Sequence, residues 1–282
     1  ALGLPHNEFI PRTWHLPESC HPINWAAREM CKYIRRRDPR KPGFWYLSFS
    51  APHPPLMPLA PYMDLYRDVT LDEAATSNWS DDFAKLPYQI KKLNNPDTIA
   101  MTRARRHEWE LTRRAYYATL THLDHQIRLV LGYLRENELL DNTIVAFTSD
   151  HGHTVGEHGL WCMTVFYEMS AKIPLIIMPT KGDKRLGAGV QDDRLAEFSD
   201  LMPTLLDLAG VEIPAHVDRL SLVGTQKREH LYGEHGQGQA AMRMMRAEQY
   251  KLIYYPVGNQ FHLFDLENDP RECVDLAGQA HY

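Results

Sequence analysis

Apolar positions along the chain fall into two patterns. Short unbroken runs of β-branched and aromatic residues, closed by turn residues, predict strands, while apolar residues three or four apart predict helices. Thr143-Ile144-Val145-Ala146-Phe147-Thr148-Ser149 is such a run and predicts a strand buried on both faces, as in parallel sheets. Residues 43–50, with Phe44, Trp45, Tyr46, Leu47 and Phe49, predict a second strand, and 172–179 a short third one bounded by prolines. Between the first two, Leu120, Leu123, Ile127, Val130, Leu131 and Leu134 recur at helical spacing and predict a helix over 107–137. A shorter helix is predicted over 23–36, with Asn24 as its N-cap and Ala27, Met30, Cys31 and Ile34 on one face. Strand, helix and strand joined by a right-handed crossover make 44–50 and 143–149 parallel, with their carboxyl ends on one edge.

The remaining pattern is weaker. Residues 64–106 are polar, proline-punctuated and poorly periodic, which predicts a long surface excursion with short helices that shapes a substrate entrance. A short helix is expected over 199–210, with Ser199 as N-cap, Leu201, Leu205 and Leu208 inward, and Gly210 at the exit. Near residue 226 the texture changes. Residues 250–255 and 261–265 flank a Pro-Val-Gly-Asn turn and read as an antiparallel hairpin, followed by an Asn268-Asp269-Pro270 turn and a brief terminal helix. The expected division is an α/β body over 1–225 and a small antiparallel α+β subdomain over 226–282.

Composition narrows the classes. The 282 residues are 44% hydrophobic and 24% charged, which suits a globular chain with one sizeable core. Thirty-one basic against 36 acidic residues give a net charge of −5. The basic patches at 35–37 and 103–106 are short enough to be solvated helix faces, so no nucleic-acid partner is expected. The longest apolar stretch, near 173–178, is far too short to span a bilayer. Four scattered cysteines imply neither a disulfide framework nor a zinc cluster. The opening Ala1-Leu2-Gly3-Leu4-Pro5 carries no initiator Met and no secretory signal pattern, and leaves cytoplasm and periplasm both open.

Two places carry chemistry. Asp150 and His151 follow directly on the 143–149 strand, and in open α/β sheets sites collect at strand carboxyl ends. A carboxylate oxygen beside an imidazole nitrogen is half of a divalent-metal site, although a capped turn with an exposed His151 accounts for the same residues. His53 has prolines on both sides, which predicts an extended, rigid backbone presenting the ring to a ligand; an ordinary surface loop fits equally.

Six runs carry a resemblance: Ala51-Pro52-His53-Pro54-Pro55, Thr148-Ser149-Asp150-His151-Gly152, Gly156-Glu157-His158-Gly159-Leu160-Trp161, Lys172-Ile173-Pro174-Leu175-Ile176, 200–210 and 263–270. In this order they resemble the sulfatases of the alkaline phosphatase superfamily. The resemblance implies a mixed sheet sandwiched by helices with a small C-terminal subdomain, and hydrolysis of sulfate monoesters or of related phosphonate and phosphate esters. It implies that Asp150 and His151 are two ligands of a single divalent cation, calcium or in some relatives manganese, and that His53 contacts the ester group. His158 and His235 are weaker candidates for lining the substrate pocket.

Two departures from the family pattern stand out. The family's nucleophile, a formylglycine made from Cys or Ser in a Cys/Ser-x-Pro-x-Arg motif, has no counterpart at Cys20, Cys31, Cys162 or Cys273. The first strands and the remaining metal carboxylates are missing too, so the chain reads as the C-terminal part of a longer protein. It is expected to need that N-terminal part, and the sheet edge left open predicts aggregation or pairing, with a homo-oligomer as one form of it. The second departure is Met163, thirteen residues beyond Asp150, where the family places a sulfate-binding lysine. A thioether neither neutralises nor donates to an anionic ester, which makes an impaired homologue the alternative.

Overall fold

The structure is a computed structural model and describes residues 9–80, 84–93 and 106–279. It separates into two compact units, one drawn from 1–73 and 103–142, the other from 74–102 and 143–282.

In the first unit, helix α1 spans Pro22–Arg35. Its N-cap is His21, not Asn24: His21 Nδ1 accepts from the Ile23 amide at 3.3 Å, and Pro22 needs no partner at the first helical position. Asn24 donates instead to Glu18 at 3.0 Å. Helix α2 is Ala60–Leu65, α3 (in the second unit) is Tyr88–Leu93, and the long α4 is Arg106–Glu136, as its periodicity predicts. Ala27, Met30 and Ile34 of α1 pack against Val130 and Leu134 of α4. Burying the Met30, Ile34, Val130 and Leu134 side chains contributes about 1.5–3 kcal/mol each.

Residues 43–50 differ from expectation, for they form no ladder. Trp45 and Leu47 pack on the α1–α4 core while Phe44 and Tyr46 stand 81% and 77% exposed. The period-two alternation is that of an extended chain, but an apolar run encodes burial and not a pairing partner. Residues 51–55 form a turn, not an extended presenting arm, with the His53 amide donating to Ser50 O at 3.0 Å and cis bonds at Ala51-Pro52 and Pro54-Pro55. Residues 81–83 and 94–105 of the expected excursion, which include Arg103 to Arg105 of the second basic patch, lie outside the described residues.

In the second unit, β1 (Val145–Thr148) pairs with β2 (Leu175–Met178), and the pairing is antiparallel. The predicted parallel partnership of 44–50 with 143–149 has no counterpart among the described ladders, since 44–50 is not a strand, and β1 is not buried on both faces. Phe147 lies opposite Ile176 and both are exposed. A continuous apolar run fits a ribbon as well as a central strand, which is why the pattern misleads here. Helix α5 is Glu168–Ala171 and α6 is Leu201–Leu208. The turn into α6 is held by a Glu197–Asp200 capping box, not by Ser199. Gly210 has the expected left-handed φ at the exit, +69°.

The second sheet is antiparallel in the order β3 (His230–His235), β4 (Met242–Ala247), β5 (Tyr250–Tyr255) and β6 (Gln260–Asp265). The β5–β6 hairpin is the predicted one. The inner face of the sheet buries Met242, Ile253, Tyr255 and Phe264 against Trp79, Leu160, Val165 and Tyr167. The brief terminal helix is absent among the described residues, where 271–279 runs through turns tied back by Leu276 N–H to Leu263 O. Also among the described residues, no helix is long and apolar enough to cross a membrane.

Candidate active site

The β1 strand hands the chain directly to Asp150, whose side chain is 81% exposed. Its Oδ1 accepts from the His151 amide at 3.0 Å, which is an Asx-type cap of the strand end. His151 Nδ1 faces the Gly152 carbonyl at 2.9 Å, so Nδ1 bears the hydrogen and Nε2 carries the lone pair. That Nε2 lies 3.7 Å from Asp150 Oδ2. The turn is thus both capped and equipped with an oxygen–nitrogen donor pair, so the two readings of the sequence describe the same local geometry. Among the described residues, no group of three or more His, Cys, Asp or Glu side chains is placed to hold a metal. The pair fits a divalent cation chemically but supplies only part of a coordination shell.

What fixes the pair is the loop behind it. The Gly152 amide donates to Ser170 O at 2.8 Å, and the Thr154 amide to Cys162 O at 3.0 Å. Thr154 Oγ1 accepts from the Cys162 amide at 2.8 Å, and Glu157 Oε2 accepts from the Ala75 amide at 2.7 Å and from Arg271 at 2.9 Å. Thr154 and Glu157 are buried. Sequence reasoning missed both as supports; the dense Gly156-Glu157-His158-Gly159 turn was the available signal. The ring of His158 is buried against Trp79 at 4.9 Å, its backbone at φ 54°. Burial holds its imidazole pKa below the ordinary value despite neighbouring Glu157. Met163 is half-buried, and its carbonyl accepts from Ser170 Oγ. His235 is exposed at the end of β3, opposite Met242.

His53 belongs to the first unit. Its Nδ1 faces Pro54 O at 2.7 Å, which places the hydrogen on Nδ1 and the lone pair on Nε2.

Comparison with known proteins gives a consistent picture. A family model described as Sulfatase matches residues 24–211, and one described as N-sulphoglucosamine sulphohydrolase, C-terminal, matches 156–282. The chain is 34% identical to an arylsulfatase of Clostridium perfringens, over all of this chain and 59% of that protein. It is 31% identical to a choline-sulfatase of Rhizobium meliloti, over 89% of this chain and 50% of that one. The chain therefore spans roughly half to three-fifths of the curated relatives it matches. A solved structure in complex with D-glucosamine-2-N,6-O-disulfate superposes with a TM-score of 0.76, at 23% identity over 93% of this chain and 66% of that one. A phosphonate monoester hydrolase of Agrobacterium radiobacter superposes with a TM-score of 0.79, at 21% identity over all of this chain and 61% of that one. These likenesses show the sulfatase/alkaline-phosphatase-like α/β fold.

Proposed function

Because the chain belongs to the sulfatase family, we propose that it is the C-terminal part of a sulfuric ester hydrolase, with residues 1–225 in its catalytic domain and 226–282 forming the small subdomain. The observation that carries this reading is the Asp150–His151 donor pair, capped onto a strand end within a chain that matches the family model over most of its length. In this reading Asp150 and His151 hold a divalent cation, calcium or manganese, together with ligands from outside this chain. Such a cation neutralises ester oxygens when bound. His53 turns Nε2 toward the ester and supplies a hydrogen bond or proton at the leaving oxygen, with Nδ1 anchored on Pro54 O. The nucleophile, a formylglycine by family resemblance, comes from a segment N-terminal to these residues.

Sulfate monoesters are the favoured substrates because the sequence relatives at 34% and 31% identity are sulfatases by name. Met163 favours a second reading, a homologue with weakened anion binding, because the family's cation at that position is replaced by an uncharged thioether. A panel of aryl sulfates and phosphonate monoesters, offered to the full-length protein, tests both. Sulfate release supports the first reading; phosphonate cleavage without sulfate release redirects the substrate class; inactivity with a filled metal site supports impairment.

A further inference from the structure

Three consecutive carbonyls just beyond the His53 turn are each held by the same stretch of chain. The Arg12 amide donates to Leu56 O at 3.0 Å, and the Trp14 amide donates to Pro58 O at 3.0 Å. Between them, His21 Nε2 lies 3.2 Å from Met57 O. A carbonyl only accepts, so Nε2 carries the hydrogen; the other nitrogen, Nδ1, accepts the Ile23 amide that begins α1. Both ring nitrogens are thus committed, and the commitment is possible only for the neutral ring. Adding a proton to Nδ1 removes the acceptor and sets two N–H groups against each other.

The surroundings give that proton little support. His21 sits 4.7 Å ring to ring from His122, whose Nε2 is bonded to Asn24 Oδ1 at 2.7 Å and whose Nδ1 is buried with no hydrogen-bond partner among the described residues. Tyr62 of α2 stacks on His122 at 4.6 Å and reaches His125 Nδ1 at 3.2 Å, while Trp14 packs on His21 at 4.7 Å. The charged or titratable groups that act on this cluster are Glu18 from the turn before α1, Tyr62 from α2, and His125 and Arg128 from α4. The Met57 carbonyl and Glu18 both favour a charged His21, but burial outweighs them and keeps the ring below its ordinary pKa; burial, with His21 and His125 close by, lowers His122 to about 4.

We infer that His21 is a positioning residue for the His53 turn, and that it joins the segment behind that turn to the start of α1 only as a neutral imidazole. Protonation keeps Nε2–H on Met57 O but sets Nδ1–H against the Ile23 amide, so it uncaps α1 and breaks the link between that helix and the Met57 carbonyl. The consequence for hydrolysis rests on the reading of His53 as the ester-facing group; the clamp itself does not.

The test is residue-resolved hydrogen–deuterium exchange of the full-length protein at about pH 7.5 and about pH 5, corrected for intrinsic exchange, on either side of the ordinary imidazole value. The amides of Arg12, Trp14, Ile23 and His53 report the clamp, and amides in the middle of α4 serve as the reference. In the wild type, the Ile23 amide is expected to lose about tenfold protection or more at the acid pH, while Arg12, Trp14, His53 and the reference hold. His21→Asn keeps a helix-capping oxygen but cannot reach Met57 or titrate. It is expected to loosen Arg12, Trp14 and His53 at both pH values while Ile23 stays protected. A wild-type Ile23 amide that is equally protected at both pH values overturns the proposal, as does a His21→Asn protein protected like the wild type near neutrality. Aryl sulfate turnover measured on the same samples separates the two ideas. Loosening with unchanged kcat leaves the clamp standing and removes the catalytic role of His53.

Discussion

A Cβ on Gly152 would run into the carbonyl oxygen of Met169, closer than a side-chain carbon approaches any backbone atom. The same glycine donates its amide to Ser170 O at 2.8 Å, so the chain leaving Asp150 and His151 is pressed flat against α5. Glycine is required here by contact, since no positive φ is involved. Gly152→Ala is expected to cost about 1–3 kcal/mol, as overpacking of a rigid site does. It should also weaken cation binding by the full-length protein, read by denaturant melts and by metal titration. An alanine protein of unchanged stability contradicts the placement of this loop.

A buried cation ties the small sheet to the loops beside it. Lys251, 1% exposed, lies 2.8 Å from Glu168 Oε1 and 2.5 Å from Glu272 Oε1, and it also donates to Phe166 O at 2.8 Å. Removing the ammonium leaves two acidic side chains facing each other in a poorly hydrated space, and breaking buried pairs of this kind costs about 3–5 kcal/mol. Lys251→Met should therefore lower the unfolding midpoint severely, and the Lys251→Met/Glu272→Gln/Glu168→Gln triple variant should recover part of the loss. Equal melting of Lys251→Met and wild type contradicts the network.

His262 makes the second unit acid-sensitive. Its Nδ1 faces Tyr167 Oη at 3.0 Å inside an aromatic cluster, and burial pushes its pKa down to about 4, with Asp275 opposing the shift. A group whose folded pKa is lowered binds its proton more readily when unfolded. The stability it contributes is complete above the ordinary imidazole value, falls as the pH drops from there toward about 4, and levels off below. His262→Gln should flatten this slope in denaturant titrations across that window. An unchanged slope places the acid sensitivity elsewhere.

The two candidate chemical groups should separate by assay. In the full-length protein, His53→Gln is expected to lower kcat for an aryl sulfate by about 10²–10⁴-fold, the usual worth of a positioned acid or base, with metal content unchanged. Asp150→Asn should instead lose the cation, measured by elemental analysis after dialysis, and activity should fall with it. Metal loss in the His53 variant, or full metal in an inactive Asp150 variant, reverses the roles.

What the sequence revealed follows physical range. The α1 and α4 helices were legible because Ala27, Ile34, Val130 and Leu134 recur at a local period that fixes which face is buried. The β5–β6 hairpin was legible from its turn. Strand partnership was not: Phe147 against Ile176 is a long-range choice that an apolar run does not encode. The caps moved for a related reason. Asn24 and Ser199 are good capping types, but His21 and the Glu197–Asp200 pair hold the geometry. At the site, Asp150 and His151 were readable as neighbours in sequence, whereas Thr154 and Glu157 act through partners at Cys162, Ala75 and Arg271 that no local pattern announces.

The most direct test of the central claim is sulfate release from an aryl sulfate by the full-length protein, measured before and after chelation and again after a divalent cation is restored. Asp150 and His151 as cation ligands predict release that stops with chelation and returns with calcium or manganese. Release that continues unchanged in the stripped protein contradicts that assignment.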